Sequence, residues 1–528
     1  MSLTPTPATL GKLPRQKLPI GIQTFSEIRE DDCYYVDKTG FALKLATEGK
    51  CYFLSRPRRF GKSLFLDTVA ELFAGNEVLF RGLYVADKWD WTRRSPVIRI
   101  SFGAGVLSSH DALDARIREL LMEQQRVLGI TCRNTSISGI FAELIQQAHE
   151  ASGERVVVLV DEYDKPILDN ITHPEVARQM RDGLRNLYSV IKDADAHIRF
   201  AMLTGVSKFS KVSLFSGLNN LNDISVDADY SAICGYTDVD VDEVFAAELP
   251  GLDRDEVRRW YNGYNWTGQS VYNPFDLLLL FQKREFRPYW FETGTPTFLI
   301  DLLTQRQTWL PELGQLETDA DLLSTFEVDN ISSEALMFQS GYLTIDEQLN
   351  LGESYFYRLR YPNREVSQSL HGSLLRAWTR DAQAGVKNRM SLYRLLQAND
   401  FAALQTLFTA FFASIPHDWY RNSPIAQYEG YYASIFYSYF AALGLDIRLE
   451  DTTNHGRIDM TVLFNAQVYL FEFKVVELIP EGKALQQLKD KGYADKYRAR
   501  QEPIHLIGVE FSKDSRSVVG FETTTLVS

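Results

Sequence analysis

Residues 456–476 constrain the fold of this chain more than any other stretch. Two runs rich in β-branched and aromatic residues, Gly456 to Phe464 and Val468 to Val476, flank Asn465-Ala466-Gln467, so the stretch predicts an antiparallel hairpin. Three charges interrupt the runs: Asp459 in the first, Glu472 and Lys474 in the second. Alternation along a strand puts Glu472 and Lys474 on one face and Phe471, Phe473 and Val475 on the other. A carboxylate and an ammonium inside an apolar strand are costly unless each finds a partner. A divalent cation held by Asp459 and Glu472, with Lys474 beside the reacting group, supplies such partners and suits hydrolysis of a phosphodiester. The competing account is an exposed edge strand whose charges discourage pairing with other chains.

Two flanking segments weigh against that account. Tyr428-Glu429-Gly430-Tyr431-Tyr432 opens an aromatic helical pattern that runs to Leu443, with Gly444 as its C-cap. Lys483 to Tyr493 predicts a second helix with Gln487 near its middle. The order of helix with Glu, strand with Asp, strand with Glu-x-Lys, and helix with Gln resembles the PD-(D/E)XK nuclease superfamily. That resemblance implies catalytic positions for Asp459, Glu472 and Lys474, with Asp459 and Glu472 as metal ligands. It also implies that Glu429 is the helix carboxylate that completes the metal site and that Gln487 is the glutamine of several branches. The Pro of the superfamily's name is absent; Gly456-Arg457-Ile458 precedes Asp459 instead.

A second constellation lies toward the other end. Cys51 to Ser55 is a short apolar strand that runs into Arg56-Pro57-Arg58-Arg59-Phe60-Gly61-Lys62-Ser63 and then a helical segment from Leu64 to Phe73. Gly-Lys-Ser before a helix is the second half of a P-loop: loop amides cradle phosphates, Lys62 reaches the β/γ-phosphates and Ser63 ligates Mg²⁺. Arg56 stands where that motif has its first Gly. Arg155 to Asp161 is a continuous apolar run ending in Asp161-Glu162, as a buried parallel strand reads. Ligands bind at such strand ends, so Asp161 is expected to hold Mg²⁺ through water and Glu162 to polarise the attacking water. A third strand, Ile198 to Leu203, places Thr204 where a γ-phosphate sensor belongs.

Ser55 to Ser63, Tyr35-Val-Asp-Lys38, Val160 to Lys165 and Thr204-Gly-Val-Ser207 resemble the bacterial AAA-ATPase-like proteins that carry a C-terminal PD-(D/E)XK nuclease. Trp260 to Tyr264, Val271 to Pro274, Tyr289 to Gly294 and Gln339 to Leu343 match them too, so the resemblance spans Leu18 to Val509. Arginines are usual in this family's loop, and Arg56, Arg58 and Arg59 are read as positive charge around the phosphates, with a solvated loop as the alternative for any one of them. The cofactors implied are ATP and Mg²⁺, with Mn²⁺ as an alternative at the nuclease site. AAA-type proteins hydrolyse ATP between subunits, which implies a homo-oligomer with an arginine finger; Arg181, Arg185 and Arg199 are the candidates.

The fold class expected is a multidomain α/β protein. A loose tail (1–17) precedes an AAA-like P-loop core (18–235) and a helical lid (236–310). A winged-helix-like connector (311–385) then leads to a PD-(D/E)XK nuclease-like α/β domain with its helical lead-in (386–528). The 528 residues suffice for several cores. Four separated cysteines and eight scattered histidines argue against a zinc site or a disulfide framework. No run has transmembrane length and no signal pattern opens the chain, so a cytoplasmic protein without a membrane partner is expected. A net charge of −13 does not suggest coating of nucleic acid by bulk charge, and it leaves a nuclease open. One local basic surface is visible between Lys483 and Arg500, with six basic residues against two acidic. Two functions fit: an ATP- and Mg²⁺-dependent nuclease cutting DNA in preference to RNA, used in defence or by mobile elements, or a nucleotide-gated scaffold that binds nucleic acid without cutting. The intact Asp459, Glu472 and Lys474 favour the first.

Overall fold

The computed structural model describes residues 14–208, 220–294, 299–300, 303, 316–320, 323, 332–352, 354–379, 382–414, 429–453, 455–477, 479–515 and 517–526. The chain divides into two compact units, residues 1–294 with 317–363, and residues 295–316 with 364–528.

The first unit is built on a parallel sheet of β1 (Cys51–Ser55), β2 (Val97–Ser101), β3 (Val156–Asp161), β4 (Ile198–Gly205) and β5 (Asn222–Asp223) in the order β2-β3-β4-β1-β5. The apolar runs that predicted β1 and β3 are buried almost throughout, as expected for strands covered on both faces. β4 lies between β1 and β3, with Leu203 beside Val160 and Ser55 beside Gly205. The carboxyl ends of the three strands therefore open on one side. Helices Asp238–Val244, Arg254–Tyr261 and Pro274–Lys283 follow the sheet. Thr237 and Asp240 form a capping box on the first, and Asp253 caps the second. Their apolar sides enclose Val241, Phe245, Val257, Tyr261, Leu277 and Phe281 together with Tyr34 and Val36.

Helix Ser333–Ser340 ends on Gly341, whose φ of 92° closes it in the left-handed form. It precedes β7 (Thr344–Leu351) and β8 (Ser354–Arg360), which pair with β6 (Leu316–Asp319) in the order β6-β8-β7. Ser340 to Asp346 reads in the sequence as strand-like, but β7 starts at Thr344 because Gly341 is spent on the helix cap. Pro296 to Gln305 reads in the sequence as a further helix and lies largely outside the described residues.

Val366 to Ile415 reads in the sequence as amphipathic helix, and the second unit there holds three helices, Arg364–Thr379, Ala382–Ala398 and Phe401–Ser414. Asn399, at φ 54°, breaks the last two apart. A mixed sheet follows in the order β13-β12-β11-β10-β9: β9 (Asp446–Thr453), β10 (Gly456–Phe464), β11 (Gln467–Val476), β12 (Ile504–Ser512) and β13 (Val518–Leu526). The β10–β11 hairpin pairs Phe464 with Gln467 across Asn465 and Ala466, both left-handed at φ 53° and 55°, the twist that a two-residue hairpin turn needs. β11 and β12 run parallel, and the other pairs are antiparallel. One face, with Phe471 and Phe473, packs on helix Glu429–Ala441. The other, with Val468 and Leu470, packs on helix Lys483–Asp490 and the 3₁₀ turn Tyr493–Arg500. No helix among the described residues is long and apolar enough to cross a membrane.

Candidate active sites

The charged residues of the hairpin meet where its two strands part. Pairing of β10 with β11 runs from Phe464↔Gln467 to Met460↔Phe471. Beyond it, the amide of Phe473 donates to Asp459 Oδ2 at 2.8 Å. Ile458 packs in the core under helix Lys483–Asp490, whereas Met460 packs in the core under helix Glu429–Ala441. Residues two apart on a regular strand share a face, so β10 turns at Asp459 and carries its carboxylate to the amide between Glu472 and Lys474. Glu472 is 1% exposed. Lys474 Nζ lies 3.4 Å from Glu472 Oε1, and Gln487 Nε2 donates to the same oxygen. The structure thus brings Asp459, Glu472, Lys474 and Gln487 together. Glu429 is the first residue of its helix, and its side chain lies outside the described residues.

Tyr493 belongs to this cluster and was not anticipated. Its hydroxyl sits where a Cβ on Gly456 would come within 2.7 Å. Burial, then the negative charge of Glu472, pushes its phenol above the usual range, and Gln487 hydrogen-bonds to it. The turn signal Lys491-Gly492 after the helix could have marked it. Among the described residues no three His, Cys, Asp or Glu side chains form a metal-holding group, so Asp459 and Glu472 supply two carboxylates. That donor set suits a hard cation such as Mg²⁺ or Mn²⁺, which takes one or two carboxylates and fills its shell with water and phosphate oxygens. The expected basic surface is largely compensated within the fold: Lys483, Lys496, Arg498 and Arg500 pair with Glu481, Asp451, Asp495 and Glu502. Lys489 and Lys491 remain exposed.

In the first unit, β1 leads into a loop whose Arg59 and Gly61 adopt left-handed backbone at φ 69° and 92°, and helix Lys62–Ala74 follows. The amides of its first turn have no partner within the helix, and they face a cavity of about 400 Å³. Arg58, Arg59, Phe60, Gly61, Lys62, Ser63, Leu64 and Glu162 line it, with Tyr35, Lys38, Cys234 and Phe275 among its other walls. Lys62 is buried, and its Nζ donates to the carbonyls of Arg56 and Pro57 at 2.8 and 2.9 Å. Burial lowers its pKa. Glu162 sits at φ 52°, and burial, then the charge of Asp161, pushes its carboxyl up. A Cβ on Gly103 would lie 3.3 Å from Glu162 Oε2, so the glycine leaves room for that carboxylate.

Four residues expected at the nucleotide, Arg56, Pro57, Asp161 and Thr204, are not on the cavity wall. Arg56 is 1% exposed and points inward. Its guanidinium donates to the carbonyls of Ser55, Ser225 and Tyr230 at 2.8, 2.7 and 3.0 Å and lies 4.0 Å from the Trp266 ring. It serves the fold and adds no charge at the phosphates. Thr204 is fully buried because the parallel register sets it beside Asp161, and its hydroxyl donates to Asp161 Oδ1 at 2.7 Å. It orients that carboxylate rather than facing a γ-phosphate. Pro57 packs where a Cβ on Gly341 would come within 2.7 Å. Arg199 stacks on Phe73 and Trp89 and bonds Ser95, so it is engaged within its own chain. Arg181 and Arg185 both pair with Asp182.

Sequence reasoning missed what holds the loop from behind. Phe60 stands edge-on to Tyr264 and Trp266, and Trp290 Nε1 donates to the Arg58 carbonyl at 3.0 Å. Asp164, fully enclosed, accepts from the amides of Val206 and Ser207 and from the Ser207 hydroxyl. The amide of Lys208 donates to Gln339. The aromatic motifs quoted for the family thus sit around the phosphate loop.

Residues 19–215 match the family described as "Predicted AAA-ATPase", and residues 427–521 match the PD-(D/E)XK nuclease superfamily. An uncharacterised protein in the vnfD 5′ region of Azotobacter chroococcum mcd 1 is 72% identical over 513 residues, which cover 97% of this chain and 99% of that one.

Proposed function

Because the chain belongs to the AAA-ATPase-like proteins that end in a PD-(D/E)XK nuclease domain, we propose that it is an ATP- and Mg²⁺-dependent nuclease acting on DNA. The observation that carries the reading is the seat of Asp459 against the Phe473 amide, between Glu472 and Lys474. Asp459 and Glu472 hold the cation, and Glu429, the helix carboxylate that the superfamily resemblance implies, completes its shell. The bound Mg²⁺, or Mn²⁺, supplies an activated water and stabilises charge on the scissile phosphate. Lys474 steadies the phosphate oxygens as negative charge develops. Gln487 fixes the orientation of the Glu472 carboxylate, and Tyr493 fixes Gln487.

In the first unit the amides from Arg59 to Leu64 bind the phosphates of ATP, with Lys62 leaving the carbonyls of Arg56 and Pro57 to reach them. Ser63 holds the accompanying Mg²⁺, Asp161, set behind the wall, reaches it through water, and Glu162 takes the proton of the attacking water. Arg58 and Arg59 remain on the cavity wall as cationic groups. With Arg199 engaged inside its subunit, an arginine from a neighbouring copy must come from elsewhere, and Arg185, 45% exposed, is the more accessible of the remaining two. The pairing of a nucleotide switch with a DNA-cutting domain suits defence against foreign DNA.

The test is incubation of the purified full chain with plasmid and linear DNA, in Mg²⁺ or Mn²⁺, with and without ATP. Wild type should cut, and Lys474→Ala should lose about 10²–10³-fold in cleavage rate, as loss of one charge-stabilising group costs, while keeping DNA binding. Binding without cutting in either metal would favour the nucleotide-gated scaffold.

A further inference from the structure

The sheet strand next to the Glu-x-Lys strand carries a carboxylate to which no role is yet assigned. β12 runs parallel to β11 with Glu472 beside Gly508 and Lys474 beside Glu510, so Gly508 and Glu510 share the face that bears the site. Glu510 is 2% exposed. It does not point into the site. Its Oε2 accepts the amides of Glu481 and Gly482 at 2.5 and 3.1 Å, and its Oε1 accepts those of Lys483 and Ala484 at 2.7 and 3.3 Å. These are the amides that open helix Lys483–Asp490, whose N-cap is Gly482 with no capping side chain of its own. An N-cap oxygen normally comes from the helix's own chain; here a neighbouring strand provides it, and a negative charge at that end also suits the helix dipole.

Gly508 makes the approach feasible. A Cβ there would lie 2.3 Å from the Leu485 nitrogen and 2.8 Å from its Cα. Only a glycine lets the helix backbone settle directly on the strand, next to Glu472. The helix then presents Gln487 one turn further on, and Gln487 Nε2 reaches Glu472 Oε1.

We propose that Glu510, with Gly508, is a positioning residue that docks helix Lys483–Asp490 so that Gln487 holds the Glu472 carboxylate for the metal. The inference rests on the nuclease reading for its chemical consequence, but the docking itself does not. Glu510→Gln keeps the shape and turns one acceptor into a donor facing amides that also donate.

Two measurements on the full chain test it. Hydrogen exchange should become at least tenfold faster at residues 482–484 in Glu510→Gln, with β11 unchanged. The Mn²⁺ concentration for half-maximal binding, read by electron paramagnetic resonance without DNA, should rise about tenfold, the lower range for loss of an outer-shell partner. In a Gln487→Ala background, Glu510→Gln should add no further rise, because the effect runs through Gln487. Gly508→Ala should reproduce both changes should Glu510→Gln fold poorly. Unchanged exchange overturns the docking whatever the metal data show, and an equal Mn²⁺ shift in both backgrounds overturns the route through Gln487. Faster exchange in a protein that never binds Mn²⁺, in wild type or variant, retains the docking and removes the nuclease reading.

Discussion

Arg56→Met separates two roles for the arginine that opens the phosphate loop. Methionine keeps much of the apolar stem and removes the guanidinium. Three hydrogen bonds from that charged group to buried carbonyls are lost, at about 1.5–3 kcal/mol each. The stacking on Trp266 at 4.0 Å contributes about 2 kcal/mol more when desolvated. Against this stands the burial that holds the guanidinium's pKa down to about 10, a penalty of roughly 3 kcal/mol at about 1.4 kcal/mol per tenfold. The balance is a loss of about 3–8 kcal/mol in the nucleotide-free protein. Urea unfolding followed by tryptophan fluorescence, together with calorimetric titration of ADP, checks it. Arg56→Lys should lose most of the same stability, since one ammonium cannot span three carbonyls on a planar fork. An Arg56→Met protein that unfolds at the wild-type urea concentration but binds ADP tenfold more weakly would refute the argument, since the guanidinium would then be reading phosphate.

Glu162, whose carboxyl is pushed up by burial and by Asp161, should lose ATP turnover on acidification at a higher pH than an ordinary glutamate, as a pH–rate profile will show. A raised folded pKa gives stability at low pH that is lost as pH rises through that value, so Glu162→Gln should melt higher than wild type near pH 8. The same variant should lose turnover by about 10²–10⁴-fold while still binding ATP. Tyr493→Phe should leave the melting temperature nearly unchanged and raise the Mn²⁺ requirement of cleavage by about tenfold, the scale of a lost outer-shell bond.

The elements that carry both sites were legible because their signals are local. Alternation in 468–475 placed Glu472 and Lys474 on one face, and the apolar run into Asp161 and Glu162 marked β3. What escaped were contacts between distant parts of the chain. Arg56 adjoins the loop, but adjacency does not say which way a side chain points, and its partner Trp266 lies far along the sequence. The bond from Trp290 to Arg58 spans 232 residues. Thr204 was assigned to a phosphate because strand order was unknown; with β4 beside β3, its hydroxyl reaches Asp161 first. Glu510 had a visible signal, a lone carboxylate in the apolar run Ile504 to Ser512, the same anomaly that singled out Glu472. Asn399 breaks the backbone within the stretch that reads as amphipathic helix, where the apolar spacing gives no sign of it.

The wedge of Pro57 against Gly341 has a practical consequence for anyone borrowing this loop segment. Not even a methyl group fits between them, and the indoles of Trp266 and Trp290 brace the neighbouring residues. Residues 55–63 grafted onto another scaffold would arrive without their anvil and should lose their curvature. The portable unit is the peptide plus three distant supports, and a chimera that omits them inherits the lettering of the motif without its shape.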